Sequence, residues 1–192
     1  MADTEVLALC GSLRAKSMNR GLLRAAQGVA PEGMRITIYE GLGDIPAYNA
    51  DIDTPELEPA QVKRFRDAVR AANGLLFAIA EYNYSVPGFL KNAIDWASRP
   101  PATSALKGKP AAIMGASSGI GATMRGQHHL RQMFVFTQTY AMLQPEVQIP
   151  KAAERMDADS NLTDESTREL IRKQMVAFAA WIRLDPGSFA SR

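Results

Sequence analysis

Residues 74–80 read Gly-Leu-Leu-Phe-Ala-Ile-Ala, seven consecutive positions without a polar side chain. A run this short is a strand, and a strand apolar at nearly every position is buried on both faces. Residues 5–10 (EVLALC), which end at Gly11, and 109–116 (KPAAIMGA) share the pattern. Residues 34–39 (MRITIY) alternate as a further strand, and a weaker one falls within 140–149. Between them, Leu22, Leu23 and Ala26, then Val62, Phe65 and Val69, and finally Ile171, Met175, Phe178 and Ile182 recur at helical spacing. Helices are also expected over 88–98, opened by Ser85 and Pro87, and over about 121–137. The resulting βαβαβαβαβα order implies a parallel sheet covered on both faces, a doubly wound α/β domain. Ligands bind such sheets at the carboxyl ends of the strands, beside the topological switch point. The loops after the first, third and fourth strands are therefore where chemistry is expected.

The 192 residues fit one domain, 1–192. Hydrophobic residues at 46% and charged residues at 22% match a globular chain and exclude fibrous repeats and long disorder. Lys and Arg number 22 against 20 acids, too even a balance to argue for nucleic acid or a membrane surface. Cys10 is the only cysteine, so an intramolecular disulfide and a multi-thiolate zinc site are excluded, which suits a reducing compartment. His128 and His129 cannot form a metal cluster alone, and no metal site is expected. No apolar run approaches the ~18 residues of a membrane span, and Asp3 and Glu5 stand where a signal peptide would be basic. A cytoplasmic location is expected.

The first loop, 11–19, is GSLRAKSMN. Hydroxyls, an amide, a cation and helix N-terminal N–H groups in one short turn match a terminal phosphate. The same residues also suit a plain βα turn in which Ser17 or Asn19 caps the helix. The segment has neither G-x-G-x-x-G nor G-x-x-x-x-G-K-[ST], which leaves a mononucleotide phosphate as the expected ligand. The third loop, 81–88, is EYNYSVPG, whose aromatic faces, amide and glycine suit a flat heterocycle.

The fourth loop, 115–121 (GASSGIG), looks like the glycine-rich turn of short-chain dehydrogenases. It follows the fourth strand instead of the first, and no tyrosine here has a lysine four residues later, so that reading is rejected. Its N–H groups could still face an electron-rich ring edge.

Together the three loops resemble the NADPH-dependent FMN reductase family, particularly its quinone and chromate reductase branch. The matching stretches are 11–19, 81–100 (EYNYSVPGFLKNAIDWASRP) and 108–134 (GKPAAIMGASSGIGATMRGQHHLRQMF), and the likeness covers most of 5–182. The resemblance implies a flavodoxin-like, doubly wound, five-stranded parallel sheet in the order 2-1-3-4-5 with helices on both faces. It implies FMN as cofactor, with Ser12, Arg14, Ser17, Met18 and Asn19 around the phosphate. Glu81, Tyr82, Asn83 and Tyr84 would wrap the ribityl chain and ring, and Ser117 and Gly119 would meet its polar edge. The family usually has proline before the glutamate, where this chain has Ala80.

The same resemblance implies an oxidoreductase that takes a hydride from NADPH or NADH and passes two electrons, by a ping-pong route, to a quinone, flavin, azo compound or oxidised metal ion. No catalytic side chain is expected, because the flavin carries the chemistry. The alternative is an electron carrier or regulatory flavoprotein holding the same FMN without significant turnover. A homodimer or homotetramer is implied, with Tyr84, Arg125 and Glu146 as interface candidates. Arg99, Lys107, Lys109 and Arg125 are candidates for the donor's phosphates. All four lie in the second of two windows, 6–31 and 96–145, that together hold nine basic residues and no acid, and these windows are expected to form an anion-binding face. Cys10, Trp96 and Phe89 are expected in the core, and the two histidines on a solvated helix face or an interface.

Overall fold

A computed structural model of the protein describes residues 4–191. Along the chain run β1 (Thr4–Gly11), α1 (Met18–Gly28), β2 (Met34–Ile38), α2 (Ala60–Ala71), β3 (Gly74–Ile79), α3 (Gly88–Ala97), β4 (Pro110–Ala116), α4 (Met124–Thr137), β5 (Tyr140–Ala141), β6 (Val147–Ile149) and α5 (Glu165–Arg183). The strands pair in parallel in the order β2-β1-β3-β4-β5, as expected. The fifth position differs from expectation because it is divided. β5 pairs with Pro110 and Ala111, β6 pairs with Met114–Ala116, and the sheet has six strands. The break contains Pro145, which has no N–H to give a ladder.

The strand residues divide between two hydrophobic layers by alternation. Val6, Ala8 and Cys10 of β1, with Leu76 and Ala78 of β3, face Leu22, Leu23 and Ala26 of α1 and Ile171, Met175 and Phe178 of α5. Leu7, Leu9, Leu75, Phe77 and Ile79 point the other way, toward Val62, Phe65 and Val69 of α2, Leu90 and Trp96 of α3, and Leu130 and Phe134 of α4. All six residues of β3 are buried, which accounts for its unbroken apolar run. Cys10 and Trp96 lie in these layers as expected, and Phe89 packs against the second while partly exposed.

One expected helix start is corrected. Pro87 occupies the N-cap of α3 without a side-chain bond, and the Ser85 hydroxyl lies 3.1 Å from Nδ1 of His129 on α4. Asn92 of α3 holds the segment after β2, accepting from the Tyr48 N–H (2.8 Å) and donating to the Pro46 carbonyl (2.9 Å). Trp96 Nε1 donates to the same carbonyl at 2.8 Å.

At the start of α5 the Asp164 carboxylate accepts from the Ser166 hydroxyl (2.6 Å), the Thr167 hydroxyl (2.6 Å) and the Thr167 N–H (2.7 Å), with Arg155 at 3.0 Å. These donors, the Ser166 hydroxyl foremost, hold its pKa well below the usual carboxylate range. A depressed folded-state pKa contributes stability that is fully present above the unfolded value of about 4 and is lost as pH falls below it. Asp164→Ala is therefore expected to be less stable than the parent in urea at pH 7. The difference should narrow at pH 3, and an unchanged gap would exclude this origin.

Candidate functional site

β1 ends in Gly11, and the chain turns through residues 12–17 into α1. Ser17 is the N-cap of α1, its hydroxyl accepting from the Arg20 N–H at 3.2 Å, so the plain capping role is realised. The Gly21 N–H goes to the Ser17 carbonyl at 3.0 Å, and among the described residues the N–H groups of Met18 and Asn19, at the first turn, have no partner. Met18 and Asn19 line a cleft of about 200 Å³ whose wall on this side also includes Ser12, Arg14 and Ser17. Among the described residues Arg14 has no carboxylate partner. An unpaired guanidinium, free first-turn N–H groups and nearby hydroxyls form a donor set that fits a phosphate monoester.

Asn19 has a role that its place in the sequence does not suggest. Its Nδ2 donates to the Ala116 carbonyl at 3.1 Å and its Oδ1 accepts from the Ala116 N–H at 2.9 Å. The carboxamide is thus committed to the end of β4, and what it offers an anion is its backbone N–H. This buried clamp holds the first and fourth loops at a fixed separation.

The first loop is also strapped from outside by residues 157–161. Ser160 donates to the Lys16 carbonyl (3.3 Å), Lys16 pairs with Asp159 (3.1 Å), and Arg24 reaches the Ser160 carbonyl (3.0 Å) and Asn161 (3.0 Å). Gly21 is required there, because a Cβ would collide with the Ser160 carbonyl. The partners lie more than 130 residues apart in sequence, and no local signal announces them.

In the third loop Tyr82 and Ser85 exchange backbone hydrogen bonds of 3.0 Å each way, and Asn83 (φ 52°) and Tyr84 (φ 63°) form the tip with positive φ. Such a two-residue turn ordinarily takes Asn-Gly, so the tyrosine stores strain at the rim. Ala80, Glu81 and Tyr82 line the cleft, whereas Asn83 and Tyr84 stand outside it, exposed. The Glu81 carboxylate accepts from the Gly126 N–H near the start of α4 (2.9 Å) and lies 3.7 Å from Arg125, whose guanidinium sits 4.1 Å above the Tyr84 ring. Glu81 and Tyr84 therefore join the third loop to α4 through Arg125.

The fourth loop brings Ala116, Ser117 and Ser118 to the cleft, and Gly119 does not line it. The Ser117 N–H is taken by the Ile149 carbonyl (3.1 Å) and the Gly119 N–H by the Ser117 hydroxyl (3.0 Å). Neither N–H is free for a ring edge. Among the described residues the Ser118 N–H, which borders the cleft, has no partner, and sequence reasoning passes over this residue although it lies between the two it selects.

The two basic windows do not fold into one anion-binding face. Arg20 pairs with Glu40 at 2.6 Å through both nitrogens, Lys16 with Asp159, and Arg131 donates to the Met142 carbonyl at 3.0 Å. Lys109 donates to the carbonyls of Arg70 and Ala72 at the end of α2, where burial lowers its pKa. Of the four candidates for donor phosphates, Arg125 alone reaches the site, through Glu81 and Tyr84. No group of three or more potential metal ligands occurs among the described residues.

A doubly wound parallel sheet in the order β2-β1-β3-β4-β5, with an open cleft at the ends of β1, β3 and β4, defines a flavodoxin-like protein. Residues 4–154 match the NADPH-dependent FMN reductase model, and the chain belongs to that family. It is 49% identical over 181 residues to an NAD(P)H-dependent FMN reductase of Pseudomonas aeruginosa, covering 94% of this chain and 96% of that one. A quinone reductase of Pseudomonas putida is 41% identical over 180 residues, covering 94% and 95%. The flavoenzyme NAD(P)H:(acceptor) oxidoreductase FerB of Paracoccus denitrificans superposes with a TM-score of 0.85 at 35% identity, covering 95% and 98%.

Proposed function

We propose that the protein is an FMN-dependent NAD(P)H oxidoreductase that reduces quinones, in two half-reactions that share one site. The observation that carries this reading is the cleft in which unpaired Arg14 and the free N–H groups of Met18 and Asn19 face Tyr82 and Ser118 across the ends of β1, β3 and β4. Bound FMN supplies the redox chemistry, accepting a hydride from a nicotinamide nucleotide and yielding two electrons to an acceptor. Arg14, Ser12 and the first turn of α1 hold the phosphate. Tyr82 walls the ring, and the Ser118 N–H stabilises negative charge at its polar edge. The hairpin at Asn83 and Tyr84 stays clear of the cleft, so neither residue would block a nicotinamide or an acceptor from reaching it. Flavins, azo compounds and oxidised metal ions, chromate among them, are further acceptors for so open a site.

The exposed apolar side chains of Met124, Val135 and Phe136 on α4, with Ile120 and Leu143 beside it, support a homo-oligomer. No helix among the described residues is long and apolar enough to cross a membrane, which is compatible with a cytoplasmic enzyme.

The test is direct. FMN added to the apoprotein should give a bound-flavin absorption band, NADH or NADPH should bleach it without oxygen, and a quinone should restore it. Bleaching by the nucleotide alone separates a reductase from an electron carrier. Arg14→Ala should raise the FMN Kd about tenfold to hundredfold, the worth of one charge-assisted contact. Absence of the flavin band in the parent protein would refute the proposal.

A further inference from the structure

The divided fifth strand is held by two buried glutamines, one from each helical layer. From α4, Gln127 (2% exposed) donates through Nε2 to the Val147 carbonyl at the start of β6 (3.0 Å) and to the Thr123 hydroxyl (3.1 Å). From α5, Gln174 (1% exposed) donates through Nε2 to the carbonyls of Ile113 in β4 (2.9 Å) and of Pro145 in the break (3.1 Å). In both, Oε1 is buried without a donor among the described residues. An acceptor left so costs stability that a methionine of similar length would not, and packing alone therefore does not account for an amide at either place.

The two side chains differ in what they reach. The fourth loop rests on β6 and the turn behind it: the Ser117 N–H donates to the Ile149 carbonyl (3.1 Å), the Ala152 N–H to the Ser117 carbonyl (2.9 Å) and the Lys151 N–H to the Gly119 carbonyl (3.2 Å). Its entry is clamped at Ala116 by Asn19. Its exit runs into Thr123, a fully buried N-cap of α4 that packs over Gly115 so closely that a Cβ there would collide with the hydroxyl. Gln127 fastens this exit to the strand on which the loop rests. The bonds of Gln174 stop at the break and at β4, short of the loop.

We propose that Gln127 is a positioning residue for the reductase: by tying Thr123 to Val147 it fixes the fourth loop, and with it the Ser118 N–H that borders the cleft. The inference rests on the reductase reading and deepens it. An N–H held at the polar edge of the ring favours the reduced, more negative form over the neutral oxidised one, and it does so fully only when it is already in place. Loosening the loop therefore weakens binding of reduced FMN more than binding of oxidised FMN. A glutamine that merely filled space would, on removal, weaken both alike.

The midpoint potential of bound FMN, and hydrogen exchange of the Ser117 amide in the apoprotein, are compared between the parent and three variants. Gln127→Met should shift the preference from reduced toward oxidised FMN about tenfold, which for two electrons is a potential about 30 mV lower. It should also speed exchange of the Ser117 amide about tenfold, as the bond to Ile149 opens more often. Thr123 makes no side-chain cap bond, so Thr123→Val removes one end of the link without uncapping α4. It should move both readouts the same way by a smaller factor, and it carries the test if Gln127→Met does not fold. Gln174→Met should lower Tm and leave the potential where it is. An unmoved potential in a folded Gln127→Met, or an equal fall in Gln174→Met, would overturn the proposal, the latter by showing that any loosening of the divided strand suffices. Were the parent to bind no FMN, the reductase reading would fall, and the Ser117 exchange, faster or unchanged in Gln127→Met, would still decide whether this link holds the loop.

Discussion

Asn19→Leu is expected to cost about 2–6 kcal/mol of stability and most of the FMN affinity, although the side chain offers the phosphate nothing but its neighbouring backbone. The parent carboxamide satisfies both backbone groups of Ala116 in a position where Asn19 is 4% and Ala116 2% exposed. Leucine has similar bulk and no polar atom, so the Ala116 N–H and carbonyl become buried and unpaired at roughly 1–3 kcal/mol each. The same bonds fix the distance between the first turn of α1 and the loop carrying Ser117 and Ser118. Their loss lets the two walls of the cleft drift, and a preorganised donor set becomes one that the ligand must order. Urea denaturation of the apoprotein and a fluorescence titration with FMN check both parts. A stability loss below about 1 kcal/mol would show that water or a neighbouring group satisfies Ala116 instead.

The second large effect is expected at Arg66, which lies far from the flavin cleft. Its guanidinium donates to Asp53 at 2.8 Å, to Glu58 at 2.6 Å and to the Trp96 carbonyl at 2.9 Å, and sits 5.5 Å from the centre of the Trp96 ring. The side chains of Arg66 and Asp53 are 6% and 9% exposed. Arg66→Met leaves the buried Asp53 carboxylate without its counter-charge, and breaking such a pair costs about 3–5 kcal/mol. For a chain of this length that lowers Tm by roughly 10 °C. The triple change Asp53→Asn, Glu58→Gln, Arg66→Met removes the charges together and should recover part of the loss, because the cost lies in the uncompensated ion more than in the missing pair. A triple variant no more stable than Arg66→Met would locate the effect in packing against Trp96.

These two sites divide what is local from what is not. The sequence marks Asn19 as a phosphate ligand because it ends a hydroxyl-rich turn, and the residue does belong to the cleft. Its carboxamide's partner, 97 residues away in β4, is set by the register in which β1, β3 and β4 lie side by side, and a one-dimensional reading has no access to it. Ser118 escapes notice for a related reason. Which N–H of a glycine- and serine-rich loop stays free depends on Ile149 and on how Ser117 turns back on Gly119.

The strand order is expected only from the family resemblance carried by the three loops, whereas the doubly wound sheet and the placing of those loops are legible in the amino-acid order itself. They depend on period and punctuation, which are local: runs apolar at every position, helical stripes between them, and turns rich in Ser, Gly and Asn at their ends. Which charges are free is settled only by packing. Nine basic residues in two acid-free windows suggest an anion-binding face, yet the fold gives Arg20 to Glu40, Lys16 to Asp159, and Lys109 and Arg131 to backbone carbonyls. Among the described residues Arg14, which lines the cleft, has no carboxylate partner. A charge acts through its distance to other charges, and those distances are created only when segments far apart in the chain pack together.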